Sequence, residues 1–184
     1  MDKRKRMCKS AGTTLMELLT SLAIVAVVAA LVAPSLRTLQ LDGRRTAVVN
    51  SFLHALFLAR SESIKRGKIV SVCRSGDGRS CDYGAADWNV GWIVFVNSDR
   101  DDPPQRDARE DVIAHAGAWP GGTITSNRSA YSFRPVAQAV VNGTIVFCDA
   151  RGSAHARAII ISYTGRPRVA YRDSSGKPLR CASG

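Results

Sequence analysis

The sequence predicts an α+β protein in which one long N-terminal helix precedes a domain of antiparallel strands. Three observations predict it. Residues 18–36 carry no charge, apolar residues then recur at helical spacing as far as Ile64, and short β-like runs fill the chain beyond Gly67. A helical period followed by a group of short strands is typical of the α+β class. The chain of 184 residues has room for one globular domain with a modest core.

The first element expected is a membrane-spanning helix behind a basic leader. Residues 1–9 carry five Lys or Arg and one acid, Asp2. As a helix, the uncharged run is about 28 Å long, close to the roughly 30 Å of a bilayer core. An ordinary signal peptide, the alternative, has an apolar core of only about 7–15 residues. By the positive-inside rule the leader stays in the cytoplasm, and everything after Arg37 lies on the far side of the membrane.

A single carboxylate, Glu17, stands at the start of this apolar helix. Even lenient insertion scales assign a buried charge a cost of about 2.5–3.5 kcal/mol. A simple membrane anchor has no use for such a group. The sequence therefore predicts that Glu17 meets a partner that compensates its charge.

The helix is expected to continue outward, as an amphipathic segment, to about Arg66. Gly67 is a typical residue at a helix C-terminus. Local bends of the helix are expected, if anywhere, at Pro34 and at Asp42-Gly43. The apolar stripe is expected to lie against a sheet, with His54 as a packing residue. Its members are Leu39, Val48, Val49, Phe52, Leu53, Leu56, Phe57, Ser63 and Ile64.

Beyond Gly67, turn-formers such as Asn142-Gly143 and Thr164-Gly165 separate the β-like runs. The acidic segment at residues 99–111 is interpreted as a solvated loop. A calcium site is the alternative there, but the segment lacks the glycine and the terminal glutamate of a known calcium loop. The expected strands are residues 68–73, 91–97, 111–114, 123–133, 144–148, 157–163 and 168–171.

The N-terminal segment resembles the class III leader of type IV pilins and pseudopilins. The resemblance rests on Gly12, on Glu17 with the apolar run behind it, and on Pro34 at the spacing where pilins kink this helix. It implies that a prepilin peptidase cuts between Gly12 and Thr13, and that Thr13 becomes the N-methylated first residue. Glu17 would then pair with the N-terminal amine of a neighbouring subunit during assembly. The family usually has Phe where this chain has Thr13.

Further runs resemble the FimT/GspH branch of minor pilins, almost end to end and in the family's order. Residues 59–64 and the Trp88…Gly91-Trp92 run narrow the resemblance to this branch. The run Gly165-Arg166-Pro167-Arg168 resembles the Gly-Arg-x-Arg signature of FimT, a minor pilin that binds DNA during natural transformation. The remaining similar runs are Val72-Cys73 with Cys81, Phe133-Arg134-Pro135 and Ile159-Ile160-Ile161-Ser162.

This resemblance implies a type IV pilin-like fold with four segments. Residues 1–12 are the leader peptide, 13–36 the transmembrane and polymerisation helix, 37–66 its amphipathic extension, and 67–184 a periplasmic β-rich domain. The implied partners are DNA, other type IV pilins or pseudopilins, the prepilin peptidase and inner-membrane lipid. No cofactor and no metal are expected.

Four cysteines remain once the leader with Cys8 is removed, and an even count in an exported domain predicts two disulfides. Four cysteines allow three connectivities. The economical pairing joins Cys73 to Cys81 across a polar loop and Cys148 to Cys181 at the C-terminal tail. A zinc site is the alternative use, but no two cysteines have CxxC spacing.

Beyond the leader, nearly all the surplus positive charge lies in the last fifth of the chain. Residues 151–184 hold seven basic residues against one acid, Asp173, whereas residues 13–150 carry a net charge of only +1. Such asymmetry marks a polyanion-binding surface. Arginine suits it because its planar fork grips a phosphate through two hydrogen bonds.

Within this region the sequence predicts a DNA-binding loop. Gly165 allows a tight turn and Pro167 stiffens the spacer, so that Arg166 and Arg168 project from one loop tip. The expected DNA-binding residues are Gly165, Arg166, Arg168, Arg172, Lys177, Arg180, Arg151 and Arg157.

Three classes of function follow. The first is a DNA-binding minor pilin that captures DNA for uptake. The second is a structural minor pilin or GspH-like pseudopilin that primes filament assembly in pilus biogenesis or type II secretion. The third is an enzyme such as a nuclease, which is disfavoured because His54, His115 and His155 stand singly and no Ser or Cys has a nucleophile motif.

Overall fold

The computed structural model describes residues 14–85, 87–135 and 142–181. It divides after Gln40 into two compact units. Among the described residues, one helix is long and apolar enough to cross a membrane by length and composition. Gly12 and Thr13, the residues of the expected cut, lie outside the described residues.

The helix α1 (Leu15–Arg66) begins directly after Thr14. The Thr14 hydroxyl accepts a hydrogen bond of 3.3 Å from the Glu17 backbone N–H. Thr14 and Glu17 have the spacing of a capping box, and the carboxylate lies in the first turn, at the positive end of the helix dipole. The backbone stays helical at Pro34 and at Asp42-Gly43.

In the second unit, α1 buries one narrow stripe. Its members include Val49, Phe52, Leu56, Ala59 and Ser63, and Ala55 is buried beside them. Because these residues follow one another at intervals of three or four, they lie on one face of the helix. The predicted stripe was too wide: Phe57 and Ile64 are 48% and 59% exposed, and His54 is exposed as well.

Eight strands in the described residues form two four-stranded antiparallel sheets. The first has the order β3-β2-β1-β5 and the second the order β4-β6-β7-β8. The strands are β1 (Ile69–Arg74), β2 (Trp92–Asn97), β3 (Val112–Ala116), β4 (Gly122–Ser126), β5 (Ala130–Phe133), β6 (Gly143–Asp149), β7 (Arg157–Ile161) and β8 (Pro167–Ala170).

Six of the seven predicted runs match a strand to within two residues at each end. The exception is the run at residues 123–133, which was predicted as one strand and forms both β4 and β5. The chain leaves the strand conformation at residues 127–129, and the two halves then join different sheets. All residues of this run are compatible with a strand or with a bend, so the sequence does not show where the turn lies.

One side chain of α1 connects the two sheets. The Phe52 ring lies 4.7 Å from the Trp92 ring of β2 in the first sheet and 5.8 Å from the Phe147 ring of β6 in the second, measured between centroids. The ring of Trp88, in the short 3-10 helix Trp88–Val90, packs edge-on against it at 5.3 Å. The core therefore forms between both sheets and the helix, and neither sheet has a complete core without α1.

Both predicted disulfides are present, Cys73–Cys81 and Cys148–Cys181. The second attaches the C-terminal segment to β6. Leu179, just before the disulfide, is buried in a small apolar cluster with Cys148, Ala156 and Ala158. The C-terminal segment is therefore packed against the second sheet as well as covalently joined to it.

We expect the double variant Cys148→Ser/Cys181→Ser to lose more stability than Cys73→Ser/Cys81→Ser. The chain-entropy estimate is about 4 kcal/mol for the longer loop and about 2.5 kcal/mol for the shorter one. Urea unfolding of the full-length chain in detergent micelles, followed by tryptophan fluorescence, measures both. Equal losses would contradict the role assigned to the tail disulfide.

Candidate nucleic-acid interface

The two arginines of the Gly-Arg-Pro-Arg run lie at the turn between β7 and β8. We call residues 157–171, which comprise β7, the turn and β8, the basic hairpin. Gly165 has φ +70°, a conformation that favours glycine. Its N–H donates to the Ser162 carbonyl at 2.8 Å, and the Ser162 N–H donates to the Arg166 carbonyl at 3.2 Å. These bonds fix the turn in one conformation.

Arg166 and Arg168 are exposed, whereas Gly165 and Pro167 beside them are buried. Arg168 lies within β8, where it is paired with Ile160 of β7. It therefore belongs to the strand and not to the predicted loop tip. Residues two apart in an extended strand lie on the same face. Neither guanidinium group makes a hydrogen bond or an ion pair with the described residues, so both are available to an anion.

A third cation reaches the turn from α1. The Arg60 guanidinium donates a hydrogen bond of 3.0 Å to the Thr164 carbonyl. The two residues are 104 positions apart in the sequence, so no local pattern could have assigned Arg60 to this site. Its charge adds to those of Arg166 and Arg168.

Arg157 is the first residue of β7, and Arg172 follows β8 just outside the hairpin. The Arg157 guanidinium carbon lies 4.3 Å from the centroid of the Tyr171 ring, a cation–π contact, and an Nη1–H donates to the Ala156 carbonyl. Arg172 donates to the Gly176 carbonyl at 3.1 Å. Both contacts orient the side chain without neutralising its charge.

The tail beyond the hairpin is a folded turn. The Asp173 carboxylate accepts hydrogen bonds from Ser175 and from the Lys177 backbone N–H. The bond from the Ser175 hydroxyl lowers the pKa of Asp173. Lys177 and Arg180 are exposed, so the tail presents two cations beside one acid that is already bound by its own turn.

Arg151 has a different setting from the other predicted DNA-binding residues. It joins an ion-pair cluster of Asp42, Arg45, Asp149 and Arg151. Its Nη2 lies 2.6 Å from the Asp149 carboxylate and 2.9 Å from that of Asp42. These partners, Asp149 first, raise its pKa. Its charge is neutralised internally, so we assign Arg151 to stability and not to DNA.

The same cluster connects α1 to the turn after β6. Arg45 and Asp149 have side chains only 2% exposed, and they form an ion pair of 3.3 Å. Arg45 also lies 2.6 Å from Asp42 and donates to the His155 carbonyl. A buried charge that loses its partner is strongly destabilising, so the four residues depend on one another.

Asp149→Asn is expected to destabilise the protein by about 3 kcal/mol at neutral pH, because it leaves Arg45 and Arg151 short of a counter-charge. The hydrogen bond from Arg151 lowers the pKa of Asp149 below its usual 3.8. A lowered folded-state pKa stabilises the protein above the unfolded pKa, and this contribution is lost as the pH falls through the folded value. Urea unfolding at several pH values should therefore show the difference between variant and parent shrinking below about pH 3.8. A gap independent of pH would contradict it.

The other candidate sites serve local structure. In the acidic segment, Glu110 accepts hydrogen bonds from the backbone N–H groups of Ser98 and Asp107, and Asp101 accepts one from Gln105. The carboxylates thus cap their own loop. Among the described residues, no group of three or more His, Cys, Asp or Glu is placed to hold a metal ion.

Comparisons with known proteins agree with this architecture. A family model described as type II transport protein GspH matches residues 48–165. A crystal structure of the type IV minor pilin FimU from Pseudomonas aeruginosa strain PAO1, in space group P65, is similar with a TM-score of 0.55. It is 17% identical and covers 74% of this chain and 98% of its own.

A second FimU crystal structure, in space group P21, has a TM-score of 0.51 at 16% identity and covers 79% of this chain and 97% of its own. At such identities the likeness concerns the fold alone. The search of curated proteins found no significant match. The family match ends at Gly165, so Arg166 and the basic tail lie beyond it.

Proposed function

The chain belongs to the GspH family of type II transport proteins, and on that premise we propose that its basic hairpin binds DNA for uptake in natural transformation. The family and the fold are those of minor type IV pilins and GspH-like pseudopilins. Such proteins are structural subunits that associate with other pilins in a filament. DNA binding is the activity that we add to this role.

The observation that carries the proposal is the state of Arg166 and Arg168. Both are exposed, Arg166 in a turn of fixed conformation and Arg168 next to it in β8, and neither has an acidic partner in the described residues. Arginines that the fold leaves unneutralised attract a polyanion and can each grip a phosphate. Arg60 at the turn, and Arg157 and Arg172 at the opposite end of the hairpin, extend the positive surface.

We further propose that the protein is anchored once in the inner membrane, with its folded domain in the periplasm. The helix beginning at Leu15 is long and apolar enough to span a bilayer, and the basic leader favours a cytoplasmic N-terminus. A prepilin peptidase would cut after Gly12 and leave Thr13 as the methylated N-terminus. Inner-membrane lipid surrounds the helix until the subunit enters a filament.

A purely structural role is the second candidate, and the exposed face of α1 favours it. Phe57 and Ile64 are large apolar side chains that stay 48% and 59% exposed. Exposed apolar surface of this kind is covered in an assembly. A subunit that only primes the filament, in a pilus or in type II secretion, needs this face and no DNA-binding hairpin.

A binding titration separates the two candidates. The full-length chain in non-ionic detergent micelles is titrated against two labelled DNAs of unrelated sequence at several salt concentrations. We expect similar affinities for both and a linear fall of log affinity with log salt, as phosphate contacts dictate. Absence of binding at 50 mM salt would leave the structural subunit as the better assignment.

A further inference from the structure

The basic hairpin carries two aromatic rings that the domain core does not use. Tyr163 is 80% exposed and Tyr171 is 70% exposed, more than any other large apolar side chain described from Leu41 onward. An exposed ring contributes nothing to core packing and keeps its apolar faces in water. Because both rings are close to the arginines in the chain, this surface suits a ligand that carries flat apolar groups as well as negative charge.

Along the chain, the two rings enclose the two arginines at equal sequence separations. Tyr163 stands three residues before Arg166, and Tyr171 stands three residues after Arg168. From Arg168 to Tyr171 an extended chain spans about 10 Å, comparable to about three nucleotides of a stacked strand at 3.4 Å each. Tyr163 and Arg166 instead lie in the hydrogen-bonded turn. Along the chain, one ring precedes the pair of arginines in the turn and the other follows them directly after β8, so all four side chains belong to one hairpin that a nucleic-acid strand can contact.

Tyr171 is also held in place before any ligand arrives. The Arg157 guanidinium lies 4.3 Å from its ring centroid, and a hydrogen bond to the Ala156 carbonyl fixes that guanidinium. A cation on one face of the ring restricts its rotation, and the 70% exposure leaves the remaining surface to solvent. Ordering the ring in advance reduces the entropy lost on binding.

We propose that Tyr163 and Tyr171 stack on unpaired bases, so that the basic hairpin prefers single-stranded DNA to duplex DNA. The inference rests on the proposed function, in which Arg166 and Arg168 hold the phosphates. In a duplex the base faces are already stacked on one another, whereas every unpaired base offers a free face to an aromatic side chain. Positive charge interleaved with aromatic rings is the arrangement of sites for single strands.

The test measures the affinity of full-length protein in detergent micelles by fluorescence anisotropy with three probes of equal length. These are oligo-dT, a duplex, and an abasic strand that keeps the phosphates but lacks the bases. We expect the parent to bind oligo-dT more tightly than either of the others. Tyr163→Ala and Tyr171→Ala should each weaken oligo-dT binding at least about fivefold and leave abasic binding unchanged. Tyr→Phe at the same positions keeps the ring and should restore the affinity.

The outcomes distinguish this inference from the proposed function. If the Ala variants bind oligo-dT like the parent while Arg166→Gln/Arg168→Gln binds weakly, stacking is refuted and the phosphate site stands. If none of the variants changes the affinity for any probe, the proposed function fails too. If the Ala variants keep full DNA affinity but no longer co-purify with other filament subunits, the tyrosines belong to a protein interface and the inference is overturned.

Discussion

Replacing Arg166 and Arg168 together with Gln should weaken binding of every DNA sequence by roughly 60-fold at 0.1 M salt. Each phosphate neutralised on duplex DNA contributes about −0.9 to the slope of log affinity against log salt, so two lost contacts change the slope by about 1.8. The electrostatic term vanishes near 1 M salt, and extrapolation to 0.1 M then gives this factor. Titration at four or five salt concentrations measures slope and affinity together. Because both side chains are exposed, the variant should fold and enter the membrane normally, while transformation falls.

A matched control separates the hairpin from net charge alone. Arg79→Gln/Arg109→Gln also removes two exposed arginines without partners in the described residues, but from loops outside the hairpin. It should keep nearly the parental affinity and slope. Equal losses in the two double variants would mean that net charge, and not the hairpin, attracts DNA.

Glu17→Gln is expected to be cut like the parent, to remain in the membrane, and to be absent from filaments. The substitution is chosen because Gln serves in a capping box as well as Glu does, so the helix start behind Thr14 is preserved while the charge is removed. The amine of a neighbouring subunit then has no carboxylate to pair with. Immunoblots of membranes and of sheared filaments measure the two populations.

Two comparisons make the Glu17 result decisive. Gly12→Leu should stop cleavage and leave a longer precursor, which mass spectrometry distinguishes from the cut Glu17→Gln protein. Filaments that contain Glu17→Gln at the parental level would mean that Glu17 serves the helix end alone. A mature N-terminus near Ala33 in the parent would instead indicate ordinary signal-peptide cleavage and end the pilin-type processing hypothesis.

The positions of the elements could be predicted from sequence because their signals are local. Alternating apolar residues and turn-formers place the strands within two residues, and Gly67 marks the helix end. Which strands pair is decided by contacts across the whole chain. The split of residues 123–133 between two sheets depends on β1 for one half and on β6 for the other, and these two partners lie on opposite sides of the run in the chain.

The candidate site divides in the same way. The hairpin arginines could be found from charge and from the Gly-Arg-Pro-Arg run, since both lie in one short segment. Arg151 is an arginine of the same basic region as the hairpin arginines. Its partner Asp42, however, is 109 positions away in the sequence. Arg60 reaches the turn over a comparable separation. Composition counts a charge, but only the folded chain determines whether a carboxylate neutralises it.

The position of Phe52 between the two sheets has a consequence for biosynthesis. The ribosome makes Phe52 early, whereas Phe147 and Ile159, which complete the core around it, follow roughly 100 residues later. At about 5–20 residues per second the buried stripe of α1 waits uncovered for roughly 5–20 s. During that interval the apolar stripe of α1 is exposed, because the second sheet that completes its burial has not yet been made. We therefore expect this protein to depend on a holding chaperone until its last strands emerge.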